Sequence, residues 1–471
     1  MAMLKWEERL HRGFSSWKWI IQELYLVLGN IYTRHGMLEE ADELRRLMGI
    51  NGVGKETRRR GYVAEIQFAT NSVEGSKEQS LWCHGEKLAL AFGLMVLPPR
   101  SPRKTRVQFV GLLVFEGSQN GVQNGLALPE ETKMVSVKEL VESNCRSVPS
   151  NYISLISPED SILYETENVP TIDFSQLTSS NPIERSKAIQ QLGDACRDWG
   201  FFMLINHCVP ETLREKVLRA TQSFFDLSEE EKKEYAGEKV LDPIRYGTSF
   251  NVMVDKALFW RDYLKCHVHP HLHVPSKPHG FSETVDEYIR KSRELVGELL
   301  KGICESLGLE ENYIHKRLNI ELGTQLLIAN FYPPCPKPEL TMGLPAHTDH
   351  GLLTLLLQNQ LGGLQIQHKG KWIPVNPLPN SFLVNTGDHL EILTNGKYKS
   401  VLHRAVVNTK ATRISIATAH GAPLEIIVGP APEFIGDDNP EAYRAIKYGD
   451  YIQFQQSHEL DRRSCLDHIR I

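Results

Sequence analysis

Apolar positions repeat along this chain with two different periods, and the change falls close to Gly323. Upstream of it the spacing is helical. Asn181-Pro182 followed by Glu184 reads as a helix start, with an Asn cap, Pro in the first turn and an acid near the free N–H groups. Ile189, Leu192, Cys196 and Trp199 then mark one buried stripe. Leu213, Val217, Thr221 and Phe224 mark a second, and Ser228 with Glu231 caps a third helix. Residues 283–307 predict a long helix that buries Val285, Ile289, Val296, Leu299 and Ile303, and a short helix is expected over 136–144. Two runs among these helices, 169–174 and 199–207, predict strands. Downstream of Gly323 short β-prone runs take over, at 325–332, 352–358, 364–367, 382–385, 400–407 and 413–419, with Gly362-Gly363 and Asn395-Gly396 at turns. Such a pattern predicts a mainly β fold with bracing helices, its β part a double-stranded β-helix or jelly roll. The tail, 430–471, predicts a closing helix near the mouth of the barrel.

Composition narrows the class without changing that picture. With 471 residues, 41% hydrophobic and 24% charged, the chain is an ordinary globular one with room for two or three units. A net charge of −5 leaves no general nucleic-acid footprint, although residues 1–125 are basic and the remainder acidic. The eight cysteines stand as singletons without a Cys-x-x-Cys pair, which predicts reduced thiols in a cytoplasmic protein. The first residues lack the apolar core of a signal peptide, and no run of 18 apolar residues predicts a membrane span.

The chemistry concentrates in residues 344–415. His347 and Asp349 are two apart, so on a strand both side chains leave one face. His403 follows from a distant strand. Two imidazoles and one carboxylate form the facial ligand set of a non-haem iron(II) site with open positions. Arg413 and Ser415 repeat the two-apart spacing, and a guanidinium fork beside a hydroxyl suits a small carboxylate held at two points.

This order and spacing resembles the plant-type 2-oxoglutarate/iron(II)-dependent dioxygenases. Asn330-Phe-Tyr332-Pro-Pro-Cys-Pro is similar to that family's Asn-x-Tyr-Pro-x-Cys segment, and Trp199-Gly-Phe-Phe-Met-Leu-Ile-Asn206-His207 to its Trp-Gly-Phe-Phe block. The resemblance covers roughly residues 130–460 and is nearest to the flavanone-hydroxylase-like and downy-mildew-resistance-type branch. It implies Fe(2+) held by His347, Asp349 and His403, with 2-oxoglutarate and O2 as co-substrates and ascorbate as reductant. It implies Arg413 and Ser415 on the oxoacid, Tyr332 with a hydroxyl contact to it and Asn330 beside it. Read without the family, Tyr332 and Asn330 also fit an edge strand leading into a Pro-rich turn. The expected activity is hydroxylation or desaturation of a small plant metabolite (a phenolic, flavonoid or hormone-like acid, in plant secondary metabolism), with release of succinate and CO2. The expected protein is a monomer without a membrane or nucleic-acid partner. Relatives acting on flavonoids commonly carry Phe where Ala419 stands, so a roomier wall is expected here.

Other candidates receive structural readings. Trp260-Arg261-Asp262-Tyr263 resembles a family block and is read as scaffold near the substrate entrance. His267, His269, His271 and His273 alternate in a Pro-bounded stretch read as an exposed loop. Asp388 and His389 satisfy no ligand spacing, and His350 is expected on the strand face opposite Asp349.

Residues 1–125 have another texture. Residues 25–48 show two short helical patterns around Arg34-His35-Gly36 and resemble the last repeat of a pentatricopeptide protein. Cys83-His84-Gly-Glu86 resembles the start of the DYW deaminase-like domain, but the Cys-x-x-Cys that its zinc chemistry needs is missing. One repeat cannot bury its own face. The stretch is therefore expected to be an α-helical fragment without function, and RNA binding or editing association through it is the alternative reading of the protein. The expected boundaries are 1–125 for the fragment, 126–165 for a linker and lead-in helix, 166–270 for an N-terminal catalytic region, 271–322 for bracing helices, 323–425 for the jelly-roll core and 426–471 for the closing segment.

Overall fold

The computed structural model describes residues 135–154, 168–237, 239–250, 255, 257–457 and 465–471. The chain divides into two units, Met1–Glu130 and Glu131–Ile471, and the described residues all belong to the second. The resemblances read in residues 1–125 lie outside the described residues. No helix among the described residues is long and apolar enough to cross a membrane.

Among these residues the longer helices are α1 (Pro182–Asp198), α2 (Glu211–Phe225), α3 (Phe281–Ser306) and α4 (Tyr448–Ser457). α1 starts as its sequence predicts, with Pro182 in the first turn and the Asn181 side chain accepting from the Ile183 N–H at 3.0 Å. Ser228 and Glu231 complete a reciprocal capping box on the short helix Glu229–Lys233. The five stripe positions of α3 are all buried, each such aliphatic side chain contributing roughly 1.5–3 kcal/mol.

The strands are β1 (Thr171–Asp173), β2 (Phe201–Ile205), β3 (Ile244–Thr248), β4 (Asp262–His269), β5 (Gln325–Tyr332), β6 (Leu344–His347), β7 (Leu353–Gln358), β8 (Leu364–His368), β9 (Lys371–Val375), β10 (Phe382–Thr386), β11 (His403–Ala405) and β12 (Arg413–His420). Eight form a major sheet in the order β1-β2-β10-β7-β12-β5-β4-β3, and four form a minor sheet in the order β6-β11-β8-β9. Period-two alternation divides the major sheet between two environments. Phe202, Leu204, Leu264, Leu327, Leu355, Val384 and Ile416 join the helical core. Phe201, Met203 and Leu383 meet Leu364, Ile366, Ile373 and Val375 of the minor sheet. Two sheets face to face with helices on the outer side make the expected jelly roll.

Several details differ from the sequence reading. The run 400–407 forms a strand only at His403–Ala405. Trp199 caps the end of α1 instead of joining its stripe, and stacks on His368 with ring centroids 3.8 Å apart. β3 and β4 were not expected, and the histidine stretch is not a loop throughout. His267 and His269 lie on β4, an interior strand paired with both β3 and β5, while His271 and His273 follow it and are exposed. The period-two pattern there is a barrel-wall pattern. Asp262 shows the same duality, its buried carboxylate accepting from the backbone N–H groups of Val137 and Lys138 and from the Thr248 hydroxyl. It anchors the lead-in helix Val137–Glu142, as a scaffold residue should.

The expected closing helix is α4. Its first residue, Tyr448, shares a 2.8 Å hydrogen bond with His350 Nδ1 and lies flat on Gly421, where a Cβ would stand 2.1 Å from the phenolic oxygen. Gly421→Ala should therefore displace Tyr448 and lower stability by about 1–3 kcal/mol, read as a fall in the denaturant midpoint; an unchanged midpoint would mean the helix is not seated through this contact. A chain beginning at Leu128 should keep the thermal midpoint of the full protein, and its collapse would move the domain boundary upstream.

Candidate active site

β6 and β11 are neighbours in the minor sheet, with His347 directly opposite His403. That register sets the two imidazoles 4.2 Å apart, centroid to centroid. Each ring turns Nδ1 to a backbone carbonyl two residues upstream, His347 to Pro345 at 2.8 Å and His403 to Val401 at 3.1 Å. A carbonyl only accepts, so Nδ1 carries the proton and Nε2 keeps its lone pair. Both Nε2 atoms point to Asp349 Oδ1, at 3.9 Å and 3.7 Å. The three donor atoms lie within 4.8 Å of one another, and among the described residues this is the group able to hold a metal ion. Together they would offer an ion two imidazole nitrogens and one carboxylate oxygen.

Asp349 does not reach this position as the sequence reading supposed. β6 ends at His347, and Asp349 lies in the irregular segment after it. Its second oxygen, Oδ2, accepts from Asn385 Nδ2 at 2.8 Å, which ties it to β10 of the other sheet and leaves Oδ1 free to ligate. Burial alone would raise this carboxyl, but the two imidazoles and the Asn385 hydrogen bond outweigh it and hold it down to about 2. Burial, followed by the neighbouring His403, pushes His347 down to about 3. At neutral pH the pair is thus a neutral imidazole and an ionised carboxylate, the forms that bind metal.

β12 lies between β5 and β7 and builds the second part of the site. Arg413 is opposite Tyr332 and Ser415 opposite Asn330, so the four residues read separately in the sequence come together through one strand pairing. Arg413 is only 2% exposed. Its Nη2 donates to Gln358 Oε1 at 2.8 Å and its guanidinium carbon stands 5.1 Å from the Tyr332 ring centre. Its Nε is buried without a hydrogen-bond partner among the described residues, and burial lowers its pKa. Asn330 donates to the Ser415 hydroxyl at 3.4 Å and accepts from Arg261 Nη1 at 2.9 Å.

All seven residues line one cavity of about 140 Å³, roughly ten times the space one water needs. Ala417 and Ala419 form part of its wall. Asn385, Gln358, Arg261, Tyr263 and Lys265 were not singled out as site residues by the sequence. Only the Trp260-Arg261-Asp262-Tyr263 block carried a signal, and it mixed two roles, since Trp260 and Asp262 pack outward while Arg261 and Tyr263 line the cavity. Asp388 and His389 are fully buried beside the closing helix, with Asp388 accepting from Tyr451 and Thr348. His350 is engaged by Tyr448.

A family model described as the 2OG-Fe(II) oxygenase superfamily matches residues 323–422, and one described as the non-haem dioxygenase in morphine synthesis N-terminal matches residues 169–287. The 2-oxoglutarate-dependent dioxygenase 19 of Oryza sativa subsp. japonica is 47% identical over 307 residues, covering 65% of this chain and 91% of that protein. The chain belongs to the 2OG-Fe(II) oxygenase superfamily. Protein DMR6-LIKE OXYGENASE 1 of Arabidopsis thaliana is 41% identical over 329 residues, 68% of this chain and 93% of that one. The crystal structure of JOX2 in complex with 2OG, Fe and JA superimposes with a TM-score of 0.62 at 33% identity, covering 69% of this chain and 94% of that one. The oxygenase accordingly uses Fe(2+) and 2-oxoglutarate and is a dioxygenase of the oxidoreductase class. Its residues fit both groups, with a nitrogen, nitrogen and oxygen donor set for the ion and a buried guanidinium lacking a carboxylate partner among the described residues for the oxoacid. Both family matches lie beyond residue 168 and lend no support to the pentatricopeptide and DYW resemblance.

Replacing Asp349 by Ala should abolish stoichiometric Fe(II) binding. Asn385→Ala should weaken it by about 10–100-fold by releasing the carboxylate. Metal analysis after dialysis checks both, and retention of iron by Asp349→Ala would remove it from the ligand set.

Proposed function

We propose that this dioxygenase hydroxylates or desaturates a small plant metabolite of the phenolic, flavonoid or hormone-like acid class, using His347, Asp349 and His403 to hold Fe(II). Bound there, the ion supplies the activation of O2 that is coupled to oxidative decarboxylation of 2-oxoglutarate to succinate and CO2. Arg413 takes the distal carboxylate of 2-oxoglutarate, Ser415 adds a hydroxyl, and Asn330 and Tyr332 keep these two side chains in place. The observation that carries the assignment of Arg413 is its burial with only neutral partners among the described residues. A guanidinium so placed costs several kcal/mol unless an anion joins it, and a dicarboxylate co-substrate supplies one. Gln358 holds one nitrogen of the fork and thereby aims the rest. The two backbone carbonyls at Pro345 and Val401 keep both imidazoles in the ligating tautomer through each turnover.

The same reading makes residues 131–471 the catalytic unit, acting as a monomer in the cytoplasm without a nucleic-acid partner. Every residue assigned a role lies inside it, and the described cysteines are all free thiols.

Succinate release from 2-oxoglutarate, assayed with a panel of phenolics, flavonoids and hormone-like acids, tests the activity; no Fe(II)-dependent release with any of them would refute it. Arg413→Lys loses the two-point fork and should raise the KM for 2-oxoglutarate by about 10-fold or more, with a smaller change for the oxidised substrate. An unchanged KM for 2-oxoglutarate would take Arg413 out of this role.

A further inference from the structure

One wall of the cavity carries positive charge that neither the metal group nor Arg413 uses. On β4, Tyr263 and Lys265 turn inward while Leu264 and Cys266 join the helical core. β3 sets Arg245 directly across from Lys265, and Arg261 immediately precedes β4. Like charges opposite each other on adjacent strands are destabilising, and among the described cavity-lining residues no acid is interposed between them. Among the described residues, Lys265 Nζ bonds only to the neutral amide oxygen of Gln456, at 3.2 Å, and Arg245 Nε has no partner. Arg261 donates to the Ser249 carbonyl and to Asn330, again neutral acceptors. Asp349 is the one carboxylate among the described cavity-lining residues, and it is committed to the imidazoles and Asn385.

Lys265 is 5% exposed. An ammonium in such a place is expensive without a counter-ion, and burial with the two nearby guanidiniums draws it down to about 7. An anion beside it would reverse that penalty.

Strand register separates this charge from the oxoacid clamp. Arg413 and Tyr332 form one row across the sheet, Ser415, Asn330 and Tyr263 the next, and Ala417, Ile328 and Lys265 the one after. Arg413 and Lys265 are two strand spacings and four residue steps apart, roughly 10 Å across and 13 Å along the sheet. That is too far for one small dicarboxylate to be held by both while also reaching the metal group. Ile328 and Ala417, which share the row of Lys265 and line the cavity, give it an apolar floor on its β12 side.

We propose that Lys265, flanked by Arg245 and Arg261, binds the carboxylate of an acidic substrate whose apolar body lies over Ile328 and Ala417. This narrows the substrate class and rests on the reading of the cavity as the oxygenase pocket. Lys265 is a specificity-determining residue in this arrangement, and Arg245 a positioning one that keeps the local potential positive.

The test uses the full chain loaded with Fe(II) and 2-oxoglutarate without oxygen, titrated calorimetrically with matched pairs: cinnamic acid and methyl cinnamate, indole-3-acetic acid and its methyl ester. At least one acid should bind about tenfold or more tightly than its ester. Lys265→Met, which keeps the stem and drops the charge, should erase that preference, and Lys265→Arg should keep it. Should Lys265→Met fail to fold, judged by its circular dichroism, Arg245→Gln should still reduce the preference. Binding of every ester as tightly as its acid, or of no acid at all, overturns the proposal, as does a preference undiminished in the neutral variants. Succinate release by the wild-type enzyme is measured separately, so failure of the oxygenase reading would show there and not in the acid-to-ester ratio.

Discussion

Three donor atoms from three chain segments must meet at one point, and the fold is arranged around that constraint. His347 and His403 reach it because β6 and β11 are paired in one particular register, and a slip of one residue would turn one imidazole to the opposite face. Asp349 reaches it from the irregular segment after β6, where a strand can no longer hold it. Asn385, from the other sheet, takes over that task. The two sheets are locked by the Phe201, Met203 and Leu383 side chains packed against the minor sheet, and Phe201 also meets the His403 ring edge-on at 5.4 Å. Packing between sheets therefore becomes positional accuracy at the donor atoms, which ligand geometry demands.

Buried charge is the second organising element. The interior holds ionisable groups whose partners inside the protein are mostly neutral: Arg413 on Gln358, Lys265 on Gln456, Arg261 on a carbonyl and an amide. Neutral acceptors orient a cation without neutralising it. Such groups remain available for anions that arrive from solution, which is the electrostatic basis of a site built for carboxylates. Asp388 is the converse case. Burial pushes its carboxyl up to about 7, and its bonds from Tyr451 and Thr348 serve the seat of α4. Its proximity to the metal group in sequence reflects the seating of α4 and not ligation.

How much was legible in the sequence depends on the range of the interactions. The stripe of α3, the caps at Asn181 and Ser228 and the Arg413-to-Ser415 spacing depend on neighbours within a turn or a strand step, so they could be read directly. The set His347, Asp349, His403, Arg413 and Ser415 was also legible, because its chemistry requires particular residue types in a definite order. β3 and β4 were missed because a strand lining a polar cavity carries Arg, Lys and His on its inward face and so imitates a loop.

What the sequence determined by itself was the class of chemistry and the helical and strand periods, since both are local properties of residue type and spacing. Only the tertiary structure decided that Asn385 steadies Asp349, that Tyr332 and Asn330 stand opposite Arg413 and Ser415, and that Arg245 faces Lys265. Those relations come from the pairing and packing of segments 20 to 85 residues apart. Register is settled by the cooperative packing of two sheets and the helices on them, and no local stretch of sequence contains it.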